Sequence, residues 1–135
     1  MERSWEVSVD VAAPADRAWE LVGDPTSVPR WYPQYVRCEV EGDMRRAWNV
    51  DGAVLVERLL ERDDARRYYS YDIVSGLPLR SYEASFEVVE QGAGCRIVWR
   101  VRGEHQDPEI DLEQRLTARQ IEALGRMKAL IESGG

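Results

Sequence analysis

Glu57 and Arg58 stand side by side in AVLVERLLER, where Val54, Leu55, Val56, Leu59 and Leu60 make both parities of the run apolar. Adjacent strand residues point to opposite faces, so without a bulge one of the two charges is directed into the interior. There it costs several kcal/mol unless a partner, a ligand or trapped water solvates it. An inward Arg58 could hold the oxygen of an enolate, and an inward Glu57, its pKa raised by burial, could remove an α-proton. The periodicity leaves open which of the two faces inward.

A second group of chemical interest is SVPRWYPQY, residues 27–35, where Trp31, Tyr32 and Tyr35 crowd among Pro29 and Pro33. Proline forbids a long helix here and interrupts a sheet. These aromatics therefore either plug the end of a core or line the mouth of a cavity. In the second case Tyr35 could exchange a proton, while Trp31, Tyr71, Tyr82, Phe86 and Trp99 stack against a flat ligand. On the last helical segment Gln120 interrupts an apolar stripe that includes Met127, and both are further candidates for ligand contact.

Other chemistries lack the residues they need. His105 is the single histidine, too few for an ordinary zinc site, and no GxSxG turn accompanies it. Cys38 and Cys95 lie in apolar runs without CxxC spacing and read as buried, reduced thiols. No metal or cofactor is expected. The net charge of −7 opposes a phosphate backbone, so nucleic acid is not an expected partner. No stretch approaches the ~20 apolar residues of a membrane span, and the first residues alternate rather than forming a leader. A cytoplasmic protein without membrane insertion is the expectation.

The elements that must position these residues are legible from period and turns. The 135 residues suit one domain, spanning 1–135. SWEVSVDV alternates as a half-buried strand, and APADRAWELVGD follows as a short helix opened by Pro14 and stopped by Gly23. Thr26 or Ser27 caps a second short helix that Pro33 ends. Five turn signals then delimit six strands near 35–41, 44–50, 54–62, 66–74, 81–90 and 95–103. Asp107-Pro108 opens one long helix over 109–132, stopped at Gly134-Gly135. The expected fold is α+β, a seven-stranded curved antiparallel sheet around a long C-terminal helix, with two short helices after the first strand. One helix cannot fill a strongly curved sheet, so a cavity is expected between them. Leu112, Leu116, Ala123, Leu124, Met127, Leu130 and Ile131 form the inner stripe, interrupted by Glu113, Thr117 and Gln120.

In VAAPADRAWELVGDP, WYPQYVRCEVEGD, the run from Glu57 to Val89 and GAGCRIVWRV, the chain resembles the START-like, helix-grip superfamily, in its polyketide cyclase/dehydrase and lipid-transport branch. The resemblance spans nearly the whole chain. It implies a ligand-binding domain for a hydrophobic or polyketide-like small molecule, and it leaves homodimerisation open. Compared with bacterial aromatase/cyclases, which need no metal or redox cofactor, Tyr35, Arg58 and Trp99 match functional positions. Compared with plant abscisic-acid receptors, Glu57 and Tyr82 match ligand contacts, while SGLP sits one hairpin later than the receptors' gate. The resemblance thus implies a cofactor-independent cyclase/aromatase, with a role in antibiotic biosynthesis. The alternative is a non-catalytic carrier or sensor of a hydrophobic small molecule or lipid. Ionisable groups converging on one interior point would favour chemistry; a wall of Leu, Val and Trp alone would favour carriage.

Overall fold

A computed structural model describes residues 1–134. Strand β1 (Arg3–Val11) is followed by helices α1 (Ala15–Val22) and α2 (Val28–Trp31). Six strands come next: β2 (Tyr35–Glu41), β3 (Met44–Asn49), β4 (Val54–Asp63), β5 (Tyr68–Ser75), β6 (Leu79–Gln91) and β7 (Gly94–His105). Helix α3 (Leu112–Glu132) closes the chain. Six antiparallel pairings join the strands in the order β1-β7-β6-β5-β4-β3-β2, with the first strand placed beside the last. This is the helix-grip arrangement expected from the sequence.

The alternations sort as their parities require. Tyr82 is half-buried and Ala84, Phe86 and Val88 are buried on the inner face of β6, against Cys95, Ile97, Trp99 and Val101 of β7. On the outer face Arg100 reaches Glu6 and Glu87, the solvated pattern that alternating Glu and Arg produce. Cys38 and Cys95 are both free thiols, Cys95 buried and Cys38 half-buried. Asp107 does not begin the last helix as expected. Its carboxylate accepts from Glu109 N and its carbonyl from Ile110 N, closing a separate turn, so α3 starts at Leu112 with Asp111 as its N-cap. At the other end Ser133 is the C-cap and Gly134 takes φ +81°, while Gly135 lies outside the described residues.

Strand β4 keeps a simple alternation through the charged step, and its register with β5 shifts on either side of that step. Leu55, Glu57 and Leu59 face inward, and between Leu59 and Glu61 the register with β5 shifts, which leaves Leu60 bulged and 44% exposed. Leu60 shares the outward parity of Arg58, so simple alternation directs both to solvent and Glu57 to the interior. At Gly76, φ is +109° and an added Cβ would lie 2.5 Å from the Val54 carbonyl oxygen. The β5–β6 turn is thereby seated on β4, with Leu77 beside the interior.

Phe86 has no exposure and meets Trp31, Tyr69, Tyr71 and Trp99 at ring-centroid distances of 4.5 to 6.3 Å. Phe86→Ala is expected to cost about 3–5 kcal/mol in urea unfolding; a loss below about 1 kcal/mol would show that this aromatic cluster is not close-packed.

Candidate functional site

Between the sheet, α2 and α3 lies a narrow internal cavity of about 60 Å³, walled chiefly by aromatic rings. Trp31, Tyr35, Glu57, Tyr71, Tyr82, Trp99 and Gln120 all line it. Three candidates do not. Arg58 points to the outer face, where its guanidinium lies 2.7 Å from Asp72, because it is the strand neighbour of an inward Glu57. The proposed enolate contact through Arg58 is therefore corrected: the inward charge of the step is Glu57, which is only 5% exposed. Phe86 and Met127 also face inward but have no exposure; they are packed behind the cavity wall as core residues rather than ligand contacts.

The partner of Glu57 is a residue that strand parity alone did not reveal. Arg45 stands directly opposite it on β3, fully buried, and its Nε donates to Glu57 Oε1 at 2.7 Å. The Arg45 Nη1 donates to the Pro25 carbonyl at 3.2 Å and to the Tyr69 hydroxyl at 3.4 Å, and the guanidinium sits 4.9 Å from the Tyr71 ring centroid. A signal for it was present. The Asp51-Gly52 turn sets Trp48 opposite Val54, and the same register carried three residues along each strand sets Arg45 opposite Glu57.

Burial desolvates Arg45, which opposes its charge, but Tyr69, Glu57 and Tyr71 more than offset this and raise its pKa above the ordinary arginine value. The pair is thus charged at neutral pH at the Arg45 end. Glu57 Oε2 has no hydrogen-bond partner among the described residues, and the cavity that Glu57 lines supplies the space around it. Around that oxygen the wall is phenolic. Tyr71 accepts a hydrogen bond from Trp99 Nε1 at 3.2 Å, which orients its hydroxyl, and its ring lies 6.2 Å from that of Tyr82. Gln120 is held by Trp5, whose Nε1 donates to Gln120 Oε1 at 2.8 Å. That bond leaves the amide nitrogen of Gln120 as the group able to donate to a ligand.

Residues 27–35, with α2 among them, form a lip that closes this cavity. Ser27 accepts from Trp31 Nε1 at 2.9 Å, and its hydroxyl lies within hydrogen-bonding distance of the Leu21 and Asp24 carbonyls, so one small side chain ties the lip to the end of α1. Trp31 packs edge-on to Phe86 and Trp99, and Tyr32 packs on Tyr35. With the lip in this position the cavity has room for a few waters, each needing ~10–15 Å³, but falls well short of the ~300–1,000 Å³ of sites that enclose drug-sized ligands. A ring-bearing ligand requires the lip to move. Among the described residues no group of His, Cys, Asp and Glu is arranged to hold a metal ion, and no helix is long and apolar enough to cross a membrane.

Comparison with known proteins places the chain among relatives of this architecture. A family model described as polyketide cyclase/dehydrase and lipid transport matches residues 2–132. No curated protein matches. Among solved structures, the Zhui aromatase/cyclase from Streptomyces sp. R1128 superposes with a TM-score of 0.83 at 18% identity, over 98% of this chain and 94% of that one. Norcoclaurine synthase from Thalictrum flavum, in complex with dopamine and hydroxybenzaldehyde, gives 0.78 at 18% identity, over 100% and 89%. A solution structure from Thermobifida fusca gives 0.73 at 28% identity, over 96% and 90%.

Two outcomes follow from this geometry. Glu57→Leu leaves a buried guanidinium unpaired and is expected to cost about 3–5 kcal/mol in urea unfolding, whereas adding Arg45→Met should recover much of that loss; a double variant less stable than the single would contradict the pairing. Burial also pushes the hydroxyls of Tyr32, Tyr35, Tyr69, Tyr71 and Tyr82 upward, Tyr32 to about 12. A phenol whose folded pKa lies above the unfolded ~10 adds stability that is complete below ~pH 10 and is lost as pH rises through the folded value. Stability should therefore fall as pH rises from about 10 toward 12. Phenolate absorbance should appear together with unfolding; full ionisation near pH 10 in the folded chain would contradict the buried wall.

Proposed function

The chain belongs to the polyketide cyclase/dehydrase and lipid-transport family, and on that premise we propose that it is a cofactor-independent catalyst of enolisation and ring closure. Its substrate class is a small, flat, oxygenated molecule that enters by displacing the lip. One observation carries this reading: the carboxylate of Glu57, with one oxygen held by Arg45, lines the same cavity as the phenols Tyr35, Tyr71 and Tyr82. A carrier of hydrophobic cargo gains nothing from an ion pair in its wall, since the pair's desolvation has to be offset by partners at every site it occupies.

The proposed chemistry uses these residues in sequence. Glu57 Oε2 takes the α-proton of a bound ketone; the C–H bond breaks and its electron pair forms the enolate. The negative charge moves from the carboxylate to the enolate oxygen, both within the field of one guanidinium, so no new buried charge is created. The enolate carbon then bonds to a second carbonyl carbon of the same molecule. Its oxygen takes the proton back from Glu57, and loss of water completes an aromatic ring. In this reading Tyr71, whose hydroxyl accepts from Trp99 Nε1, and Tyr35 donate hydrogen bonds to the carbonyl oxygens, and Trp31, Tyr82 and Trp99, which line the same cavity, stack on the coiled substrate.

The test uses 2-acetylnaphthalene in deuterium oxide, with methyl-proton exchange followed by NMR and binding followed by quenching of tryptophan fluorescence. The protein should bind the ketone saturably and accelerate exchange. Glu57→Gln retains the acceptor for Arg45 but cannot take the proton, so exchange should fall by about 10²-fold or more while affinity changes little. Saturable binding without accelerated exchange would favour the carrier instead, and undiminished exchange in Glu57→Gln would remove Glu57 as the base.

A further inference from the structure

A second concavity, of about 130 Å³, lies on the outer side of the lip, between Trp31, Tyr32, Pro33 and Gln34 on one side and Arg119, Glu122 and Arg126 of α3 on the other. Trp31 and Tyr32 wall both this groove and the internal cavity. A lip displacement that admits a ligand therefore joins the two spaces into one channel. Helix α3 serves both halves. Leu116 and Gln120 line the cavity, and Arg119, about 100° from Gln120 around the helix, lines the groove.

The charges of the two ends differ in kind. Inside, Arg45 is neutralised by Glu57. On the groove two arginines face one glutamate, in a chain whose net charge is −7. Arg126 is paired with Glu122 at 3.1 Å, but Arg119 is exposed and forms no salt bridge among the described residues. Arg37, Arg58, Arg96 and Arg100 on the sheet's outer face are each in an ion pair, while Arg46, like Arg119, is exposed without one among the described residues. Arg119 also lies beside the Tyr32 hydroxyl, whose pKa burial raises and the Arg119 guanidinium lowers.

Resting on the reading of the cavity as a ligand site, we infer that the groove takes the anionic tail, a carboxylate or a phosphate, of a ligand whose ring body occupies the cavity, with Arg119 as the anchor. The ligand class is then an aromatic or cyclising acid rather than a neutral lipid. Guanidinium and carboxylate or phosphate match in a planar, two-pronged geometry that lysine does not reproduce.

The experiment compares 4-(2-naphthyloxy)butanoate, its uncharged amide and the corresponding 3-(2-naphthyloxy)propyl phosphate by fluorescence titration at low and high salt. At low salt at least one of the anions should bind about tenfold more tightly than the amide, the lower range for a hydrogen bond to a charged group at an exposed site. Which anion gains identifies the source of the charge. Arg119→Gln should erase that advantage and leave the amide's affinity unchanged, and Arg119→Lys should restore only part of it. Equal affinities of anions and amide for the natural chain, or an advantage that survives Arg119→Gln, would overturn the inference while leaving the cavity reading intact. Failure of all three to bind would overturn both.

Discussion

An ion pair enclosed by apolar and aromatic side chains constrains much of what surrounds it. Arg45 and Glu57 face each other across neighbouring strands with little access to water. Their mutual attraction offsets desolvation only if the remaining donors of the guanidinium are also satisfied. The Pro25 carbonyl, just before the lip helix, and the Tyr69 hydroxyl on β5 supply that satisfaction. One guanidinium thereby links β3, β4, β5 and the loop that leads into α2. The register of the β3–β4 hairpin follows from the same contact, because a one-residue slip would carry each charge to the other face.

The aromatic wall is the second consequence. A curved sheet closed by one helix of 21 residues leaves space that must be filled by side chains, water or ligand. Here the filling is done by Trp31, Tyr32, Tyr71, Tyr82 and Trp99, which reduce the space to about 60 Å³. The lip contributes two of these rings, Trp31 at the end of a four-residue helix anchored through Ser27 and Tyr32 as its C-cap. Such an element has few hydrogen bonds of its own, so opening it separates aromatic contacts rather than secondary structure. The same rings that stabilise the closed state are available to stack on a guest.

Much of this was legible in the sequence because strand and helix periodicities report facing directly. Residues 82, 84, 86 and 88, and the stripe on α3, lie where their alternation requires. Facing is not depth, however, and periodicity cannot distinguish Trp99, at the cavity wall, from Phe86 and Met127, packed behind it. Cavity volume was equally hidden, since it depends on rotamers of side chains from α2, α3 and six of the strands. The choice between Glu57 and Arg58 follows from which parity of β4 packs on the core, and a run apolar in both parities does not show it. Arg45 is followed by Arg46, and an Arg-Arg step does not by itself show which side chain is inward. Hairpin register, rather than parity alone, identifies it as the partner of Glu57.

The central claim is that the Arg45–Glu57 pair faces a guest and that the lip opens to admit it. A crystal structure of the protein with 2-acetylnaphthalene tests this most directly. The account requires the naphthalene ring between Trp31 and Trp99, the carbonyl oxygen within hydrogen-bonding distance of the Arg45 guanidinium or a wall phenol, and α2 displaced from its present contacts. A closed lip with the ketone bound elsewhere, or with none bound at saturating concentration, would contradict it.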